Sequence, residues 1–261
     1  MVNPVTDELV HYSVRSGVAT ITLDSPHNRN ALSAQLRREL SGSLAEARDD
    51  DAVRVIVLTH TGKVFCAGMD LKEARGAGIG DQGVNEFPRI LEQIWSSPKP
   101  VVAKLAGHAR AGGIGMVAAA DIAVAARQVN FAFSEVRIGV VPAVISLTVL
   151  PRVNPRAAQE LFLTGEVFDA ERATEIGLIN GAVDAEDLDA EADRYVNSLA
   201  LGGPAALAAT KELLASPRPA TPADGFADML KLSAQFFASD EGQEGIRAFA
   251  EKRKPTWVPQ E

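Results

Sequence analysis

Two short segments with small residues have the composition of a site that binds an anionic oxygen. Ala67 and Gly68 follow a β-branched run that indicates a buried strand, and a helical pattern comes directly after them. Gly112 and Gly113 follow a second apolar run and open another helical pattern. The first amides of a helix have no partner inside it, and small residues let a ligand approach the backbone. Two such segments could direct two N–H groups at one oxygen, although ordinary turns and close packing explain each segment taken alone.

Glu135 is the candidate acid–base residue of the sequence. It lies in the apolar stretch 131–142, close to Arg137. A carboxylate in apolar surroundings has a raised pKa and could transfer a proton near neutrality. A surface glutamate paired with Arg137 is equally compatible with the pattern, so the sequence leaves both interpretations open.

Other kinds of chemistry find little support. The four histidines have no metal-binding spacing, and the single cysteine, Cys66, allows no disulfide, so we expect no metal site and a small buried thiol. A G-x-G-x-x-G pattern at 76–83 lacks the preceding strand of a dinucleotide site. We therefore interpret that segment as a mobile loop.

Composition restricts the class of protein. The chain has 261 residues, 46% of them hydrophobic, which is enough for a sizeable core. Its net charge of -8 argues against nucleic-acid binding. No apolar run has the length of a membrane span and the first residues lack signal-peptide features, so we expect no membrane association and a cytoplasmic location.

Periodicity predicts an α/β arrangement. A hairpin at 9–23 precedes a helix that Ser33 caps, with Leu36, Leu40, Leu44 and Ala47 on its buried face and Arg37 directed elsewhere. Buried strands are predicted at 53–59, 101–107 and 121–126. The glycines and proline at 202–204 suggest a boundary between a core at 1–200 and a helical region at 201–261. Many apolar residues of that region suggest packing on a neighbouring subunit, and core filling explains them nearly as well: Leu230, Phe236, Phe237, Ile246, Phe249 and Trp257.

Five segments, taken together and in order, resemble the crotonase family of enoyl-CoA hydratases and isomerases. They are residues 65–72, 106–113, 133–142, 174–179 and 245–253. The resemblance implies an α/β fold, a crotonase-like spiral of repeated ββα units with a helical C-terminal trimerisation region. It also implies a homotrimer or a dimer of trimers. The expected substrate is an acyl-CoA thioester, in which coenzyme A is part of the substrate and no separate cofactor is needed.

The same resemblance implies roles for individual residues. The amides of Met69 and Gly112 would form an oxyanion hole for the thioester oxygen, and Glu135 would be the general acid/base. Preorganised N–H donors stabilise an enolate more than the uncharged thioester. The positions that match substrate or CoA contacts in the family are Arg29, Ala31, Ala67, Gly68, Asp70, Leu71, Lys72, Gly113, Pro142, Phe249 and Lys252.

Gly115 departs from the family pattern, in which hydratases commonly carry a first glutamate at this position. The resemblance favours an enoyl-CoA hydratase that adds water to a 2-enoyl-CoA with Glu135 as general acid/base and a different group holding the water. The alternatives are a Δ3,Δ2-enoyl-CoA isomerase, which needs one base, and a non-catalytic acyl-CoA-binding protein. The acyl tail would lie near residues 79–94 and 144–147, whose apolar character does not define chain length.

Overall fold

A computed structural model of the chain describes residues 7–75, 85–216 and 221–259. The G-x-G-x-x-G segment at 76–83 lies outside these ranges, and so does the first part of the expected tail pocket. The elements below refer to the described residues.

The larger sheet begins with the predicted hairpin and continues with parallel strands. β1 and β2 pair antiparallel, and the order across the sheet is β1-β2-β3-β5-β7-β10. From β2 onward each neighbouring pair is parallel. Its central strands are almost entirely buried, as continuous apolar runs require. The bounds are β1 Val10–Arg15, β2 Val18–Leu23, β3 Val55–His60, β5 Val101–Leu105, β7 Ile122–Ala126 and β10 Gly181–Val183.

A smaller sheet consists of short strands that follow those of the larger one. Its order is β4-β6-β8-β9, and β4, β6 and β8 are parallel neighbours. Its strands are β4 Val64–Cys66, β6 His108–Arg110, β8 Asn130–Ala132 and β9 Phe168–Asp169. From β3 to β8 successive strands thus alternate between the two sheets, and the expected spiral of ββα units is present. The sequence did not predict β4 and β6, since three residues are too few for a periodic signal.

Eleven helices complete the described chain. Polar N-caps begin several of them: the Ser33 hydroxyl accepts from the Leu36 amide at 3.3 Å as predicted, and the Asn154 and Asp169 side chains cap α6 and α7. None of the described helices has both the length and the apolar character needed to cross a bilayer. The bounds are α1 Ala34–Asp49, α2 Leu71–Ala74, α3 Phe87–Trp95, α4 Gly112–Ala119, α5 Ala143–Val149, α6 Pro155–Thr164, α7 Ala170–Glu175, α8 Leu188–Ala200, α9 Pro204–Ala215, α10 Pro222–Ala238 and α11 Asp240–Ala250.

The core lies around α4, every residue of which is buried. The predicted apolar face of α1 is buried as well. Arg37, however, is also buried, and the prediction that it points away from the core is wrong. Its guanidinium donates to the Leu32 carbonyl at 2.6 Å and to the Glu86 carboxylate at 3.0 Å, so hydrogen bonds offset the cost of burying the charge.

The helical region after residue 200 contacts the core through polar groups. Lys211 on α9 forms an ion pair with Asp121 at 2.5 Å, and the Arg54 guanidinium donates to the Gly202 carbonyl at 2.9 Å. Several large apolar side chains of this region are exposed in the single chain, so core filling does not explain them. They are Leu213, Leu214, Phe226, Met229, Leu230, Phe237, Ile246 and Phe249.

Candidate active site

The candidate site lies at the carboxyl ends of β4, β6 and β8. These strands are parallel neighbours, so their ends meet at one edge of the smaller sheet. Met69 follows β4, Gly112 follows β6, and Glu135 follows β8. The fold thus brings the three proposed catalytic groups to the same edge although they are far apart in sequence.

The first loop leaves the Met69 amide free. Leu32 forms a parallel bridge with Met69, and the Leu32 amide donates to the Gly68 carbonyl at 2.8 Å. In a parallel pair a residue bonds to the neighbours of its partner, not to the partner itself. The Met69 N–H therefore has no acceptor among the described residues, and it is available to a ligand.

The second loop leaves the Gly112 amide free in another way. Gly112 is the first residue of α4, where an N–H has no acceptor inside the helix. No other described group accepts a hydrogen bond from the Gly112 N–H. The preceding residue, Ala111, has φ of 46° and ψ of -118°, a strained conformation for a residue with a side chain. The Ala111 amide donates to the Ala132 carbonyl at 3.3 Å, which ties this loop to the strand before Glu135.

The two loops are in direct contact at Gly68. A Cβ atom added there would lie 2.8 Å from the Ala111 Cβ and 3.4 Å from the Gly112 nitrogen. Gly68 also has φ of 88°, which disfavours any side chain. The close approach brings the amides of Met69 and Gly112 to neighbouring positions, as an oxyanion hole requires.

Glu135 lies in a 3₁₀ turn, Ser134–Ile138, directly after β8. It is only 9% exposed, and its Oε2 atom has no hydrogen-bond partner among the described residues. Burial raises the pKa of this carboxyl above its ordinary value. Arg137 is exposed and its side chain packs near Gly165, without an ion pair to Glu135 in the described chain. The structure therefore has the isolated buried acid, not the surface ion pair.

Gly115 lies one turn beyond Gly112 and faces apolar side chains. A Cβ atom at this position would lie 2.6 Å from Cγ2 of Ile145 and 3.5 Å from Cδ2 of Leu91. The Thr148 hydroxyl donates to the Gly115 carbonyl at 3.0 Å and holds α5 against α4. The space that a side chain on residue 115 would need is therefore filled by Ile145.

Asn30 is a supporting residue that sequence analysis missed. It is fully buried, and its Oδ1 accepts from the Ser25 amide at 2.6 Å. Its Nδ2 donates to the carbonyls of Thr61 and Val64 at 3.1 and 2.7 Å. Asn30 thus fixes both ends of the turn between β3 and β4, which leads into the first loop. The only sequence signal was its place in a polar turn, which many exposed asparagines share.

The structure describes all of the expected CoA-binding positions. The Arg29 carbonyl accepts from the Ala67 amide at 3.1 Å, and Asp70 caps α2 by accepting from the Lys72 amide at 2.9 Å. Phe249 is 88% exposed at the end of α11, and it makes no hydrogen bond with the two loops in the described chain. The other expected positions lie as follows: Ala31, Gly113 and Pro142 are buried, Ala67 is half-buried, and Leu71 and Lys252 are exposed.

Metal and thiol chemistry find no support in the described residues. No group of three histidine, cysteine or acidic side chains among them could hold a metal ion. Burial raises the pKa of the Cys66 thiol to about 12, so it stays protonated near neutrality. The acid and the two free amides are therefore the candidate reactive groups at this edge.

Two free amides beside a buried acid suit an enzyme that moves a proton while it stabilises negative charge on an oxygen. The sequence matches the enoyl-CoA hydratase/isomerase family over residues 13–260. This chain belongs to that family, and its fold is that of the crotonases.

Three relatives illustrate the similarity. An enoyl-CoA hydratase of known structure from Mycobacterium avium is 46% identical, with 97% of this chain and 100% of that chain covered and a TM-score of 0.73. An enoyl-CoA hydratase structure from Mycobacterium smegmatis is 32% identical, with 95% and 98% covered and a TM-score of 0.88. Carnitinyl-CoA dehydratase of Citrobacter koseri is 34% identical over 258 residues, which are 96% of this chain and 98% of the relative.

Proposed function

We propose that this enzyme adds water to a 2-enoyl-CoA thioester. The observation that carries the proposal is the buried Glu135 carboxyl, which lacks a protein partner at the same sheet edge as the free amides of Met69 and Gly112. A buried unpaired acid is costly to retain unless it has a task.

In the proposed reaction, Glu135 in its ionised form removes a proton from water while the water oxygen bonds to C3 of the substrate. The electrons of the C2=C3 bond move to the thioester oxygen, which the Met69 and Gly112 amides stabilise as an enolate. The protonated Glu135 then returns its proton to C2 as the carbonyl re-forms. One carboxyl thus serves as base and acid, and its raised pKa makes the carboxylate a stronger base for the first step.

The names of the relatives support water addition or its reverse. Two structural relatives are enoyl-CoA hydratases, and the Citrobacter koseri relative is a dehydratase of carnitinyl-CoA. Removing water from an acyl-CoA is the reverse of the proposed reaction, and the same acid and amides would serve it.

The test is Glu135→Gln, assayed on a panel of 2-enoyl-CoA and 3-enoyl-CoA esters. Because general acid–base catalysis contributes about 10²- to 10⁴-fold, turnover should fall by about that factor. Binding of the CoA ester should stay nearly unchanged. Glu166→Gln, at an exposed glutamate, is the matched control. Unchanged turnover in Glu135→Gln would overturn the proposal.

Isomerisation of a 3-enoyl-CoA to a 2-enoyl-CoA is the second candidate. Ile145 fills the space beside Gly115, so the described residues hold no second carboxyl at that position to orient water. In this reaction Glu135 would remove a proton from C2 and return it to C4. Product identification from the ester panel separates the two reactions, because only hydration yields a 3-hydroxyacyl-CoA.

A non-catalytic acyl-CoA-binding protein is the third candidate, from a different class. It predicts stoichiometric binding of CoA esters without turnover of any member of the panel. The buried Glu135 weighs against it, since a binding protein has no use for an unpaired buried acid.

We further propose that Lys72 contacts the phosphates of coenzyme A and that Arg29 contacts its adenine end. Both are exposed cations beside the first loop. The matched test is Lys72→Ala against Lys231→Ala, a lysine on α10. Lys72→Ala should raise KM for the CoA ester with little change in kcat, since it removes a contact with coenzyme A that is remote from the reacting atoms. Lys231→Ala should change neither.

We also propose that the protein is a homotrimer or a dimer of trimers. The exposed apolar side chains of α9, α10 and α11 support this proposal, because monomers rarely expose large apolar patches. Sedimentation equilibrium measures the mass of the assembly in solution. A monomeric mass would overturn this proposal.

A further inference from the structure

His60, the last residue of β3, contacts the turns that lead into both loops of the candidate site. Its Nε2 atom lies 3.1 Å from the Ala106 amide nitrogen, and its Nδ1 atom lies 3.1 Å from the Thr61 carbonyl. Thr61 begins the turn between β3 and β4, and Ala106 begins the turn between β5 and β6. One imidazole therefore bridges the two turns.

The hydrogen bonds determine the tautomer of the ring. Because the Ala106 N–H is a donor, Nε2 must be an unprotonated acceptor. Because the Thr61 carbonyl is an acceptor, Nδ1 must carry the proton. Only the neutral Nδ1–H form satisfies both neighbours, and a second proton would oppose the Ala106 N–H and break that bond.

The two turns lead into β4 and β6, the strands that precede the two loops of the candidate site. A backbone hydrogen bond from His108 to the Lys63 carbonyl, 3.1 Å long, is their other link, and β4 and β6 pair directly after it. Gly107 lies so close to the ring that an added Cβ atom would be 2.7 Å from its Cε1. The amides of Met69 and Gly112 follow these strands, so their relative position depends on the register set at the turns.

The surroundings of the ring keep it neutral. It is 9% exposed, and Phe65 meets it edge-on with ring centroids 5.5 Å apart. Lys104 on β5 is the charged group that acts on it, and that ammonium is paired with Asp189 at 2.6 Å. Asp24 accepts from the Thr61 hydroxyl on the same turn. Burial and, to a smaller extent, Lys104 lower the pKa of His60 below its ordinary value.

We propose that His60 is a positioning residue: as a neutral Nδ1–H imidazole it links the two turns and thereby sets the spacing of the Met69 and Gly112 amides. It touches neither substrate nor reacting atoms. The proposal rests on the proposed function only for its effect on turnover, because the ring geometry can be tested by itself.

The first test reads the ring directly in the whole protein. Long-range ¹H–¹⁵N correlation at neutral pH should find Nδ1 protonated and Nε2 unprotonated. A ring protonated at Nε2, in the other neutral tautomer or as the cation, would overturn the proposal. This result does not depend on any activity.

The second test compares two amide substitutions. In His60→Gln the side-chain oxygen can reach the Nε2 position and accept from Ala106, whereas His60→Asn can reach only the Thr61 side. Hydrogen exchange of the Ala106 amide should therefore stay slow in His60→Gln and become fast in His60→Asn. Equal exchange in the two variants would overturn the proposal.

Turnover of the best ester should follow the same order. Because small misplacements of catalytic groups cost up to about 10²-fold, His60→Asn should lose about tenfold or more in kcat with KM little changed, and His60→Gln should recover most of that loss. On acidification the wild type should lose kcat more steeply than His60→Gln, which has no ring to protonate. If no ester is turned over by the wild type, the proposed function fails while the ring and exchange results still decide the role of His60.

Discussion

Ile145 occupies the space that a side chain on Gly115 would fill, with its Cγ2 atom only 2.6 Å from the ideal position of that Cβ. Both residues are buried, Gly115 in α4 and Ile145 in α5. Helix packing and the chemistry of the site are thus linked at one contact. A carboxyl side chain could be accommodated at 115 only if Ile145 moved or became smaller.

A double-mutant cycle tests this contact. Gly115→Ala should destabilise by about 1–3 kcal/mol through overpacking, and Ile145→Ala by about 2–5 kcal/mol through a cavity. The double variant should lose less free energy of unfolding than the two single variants added together, by about 0.5–3 kcal/mol. The smaller residue at 145 makes room for the added Cβ at 115, and that Cβ fills part of the cavity. Denaturant unfolding measures all three. The control is Gly42→Ala in α1, where nothing lies within 4 Å of the added Cβ. Strict additivity would refute the contact.

Glu135→Gln should stabilise the fold at neutral pH. Burial raises the pKa of the folded-state carboxyl above the unfolded value of 4.5, so the folded protein retains a proton that the unfolded chain releases. The wild type therefore loses stability as the pH rises from about 4.5 through the folded pKa. The difference in the free energy of unfolding between Glu135→Gln and the wild type should be small in acid, grow across that pH window and then level off. Unfolding free energies of both proteins from pH 4 to pH 8 check this, and a gain that does not change with pH would contradict it.

Gly68→Ala should impair both stability and turnover. Its Cβ would meet the Ala111 Cβ at 2.8 Å, and its φ of 88° disfavours a side chain. Gly139→Ala is the matched control for stability, since it has φ of 73° with nothing within 4 Å of the added atom. The control should cost about 1 kcal/mol from the backbone alone, and Gly68→Ala about 1–3 kcal/mol more from the clash. Equal losses would mean that the loops do not touch as described.

Lys211→Ala should weaken the attachment of α9 to the core. The Lys211 side chain is 13% exposed and its ammonium is paired with Asp121, so its removal leaves a half-buried carboxylate without that partner. We expect a loss of about 1–3 kcal/mol in the free energy of unfolding. Lys231→Ala, which breaks a pair with Asp228 at 78% and 73% exposure, should cost less than about 1 kcal/mol. Similar losses from both would show that Lys211 does not anchor the helical region.

Local patterns predicted much of the fold because they reflect local physics. The hairpin ending at Leu23, the helix capped by Ser33 and the buried strand before His60 follow from alternation, capping and apolar runs. The short strands of the smaller sheet could not be found in this way. Their three residues pair with strands far along the chain, and only the tertiary fold makes them strands.

The sequence predicted the candidate residues of the site but not the residues that hold them in place. Glu135 and the glycine loops could be identified from composition and the family resemblance. Arg37 on α1 was expected outside because a charged side chain is usually exposed, yet the Leu32 carbonyl and Glu86 satisfy it inside. Asn30 and Ile145 act through residues distant in sequence, and a single sequence does not record such contacts.

The donors for the thioester oxygen would be main-chain amides, and this has a consequence for how such an enzyme can diversify. A substitution cannot delete an N–H group except by proline, so the electrostatic part of the site tolerates sequence drift around Met69 and Gly112. The proposed proton transfer would instead depend on individual side chains, here Glu135 and the Ile145 side chain that fills the space beside Gly115. Enzymes that share one ancestor can therefore retain thioester activation while one or two substitutions change which product is formed.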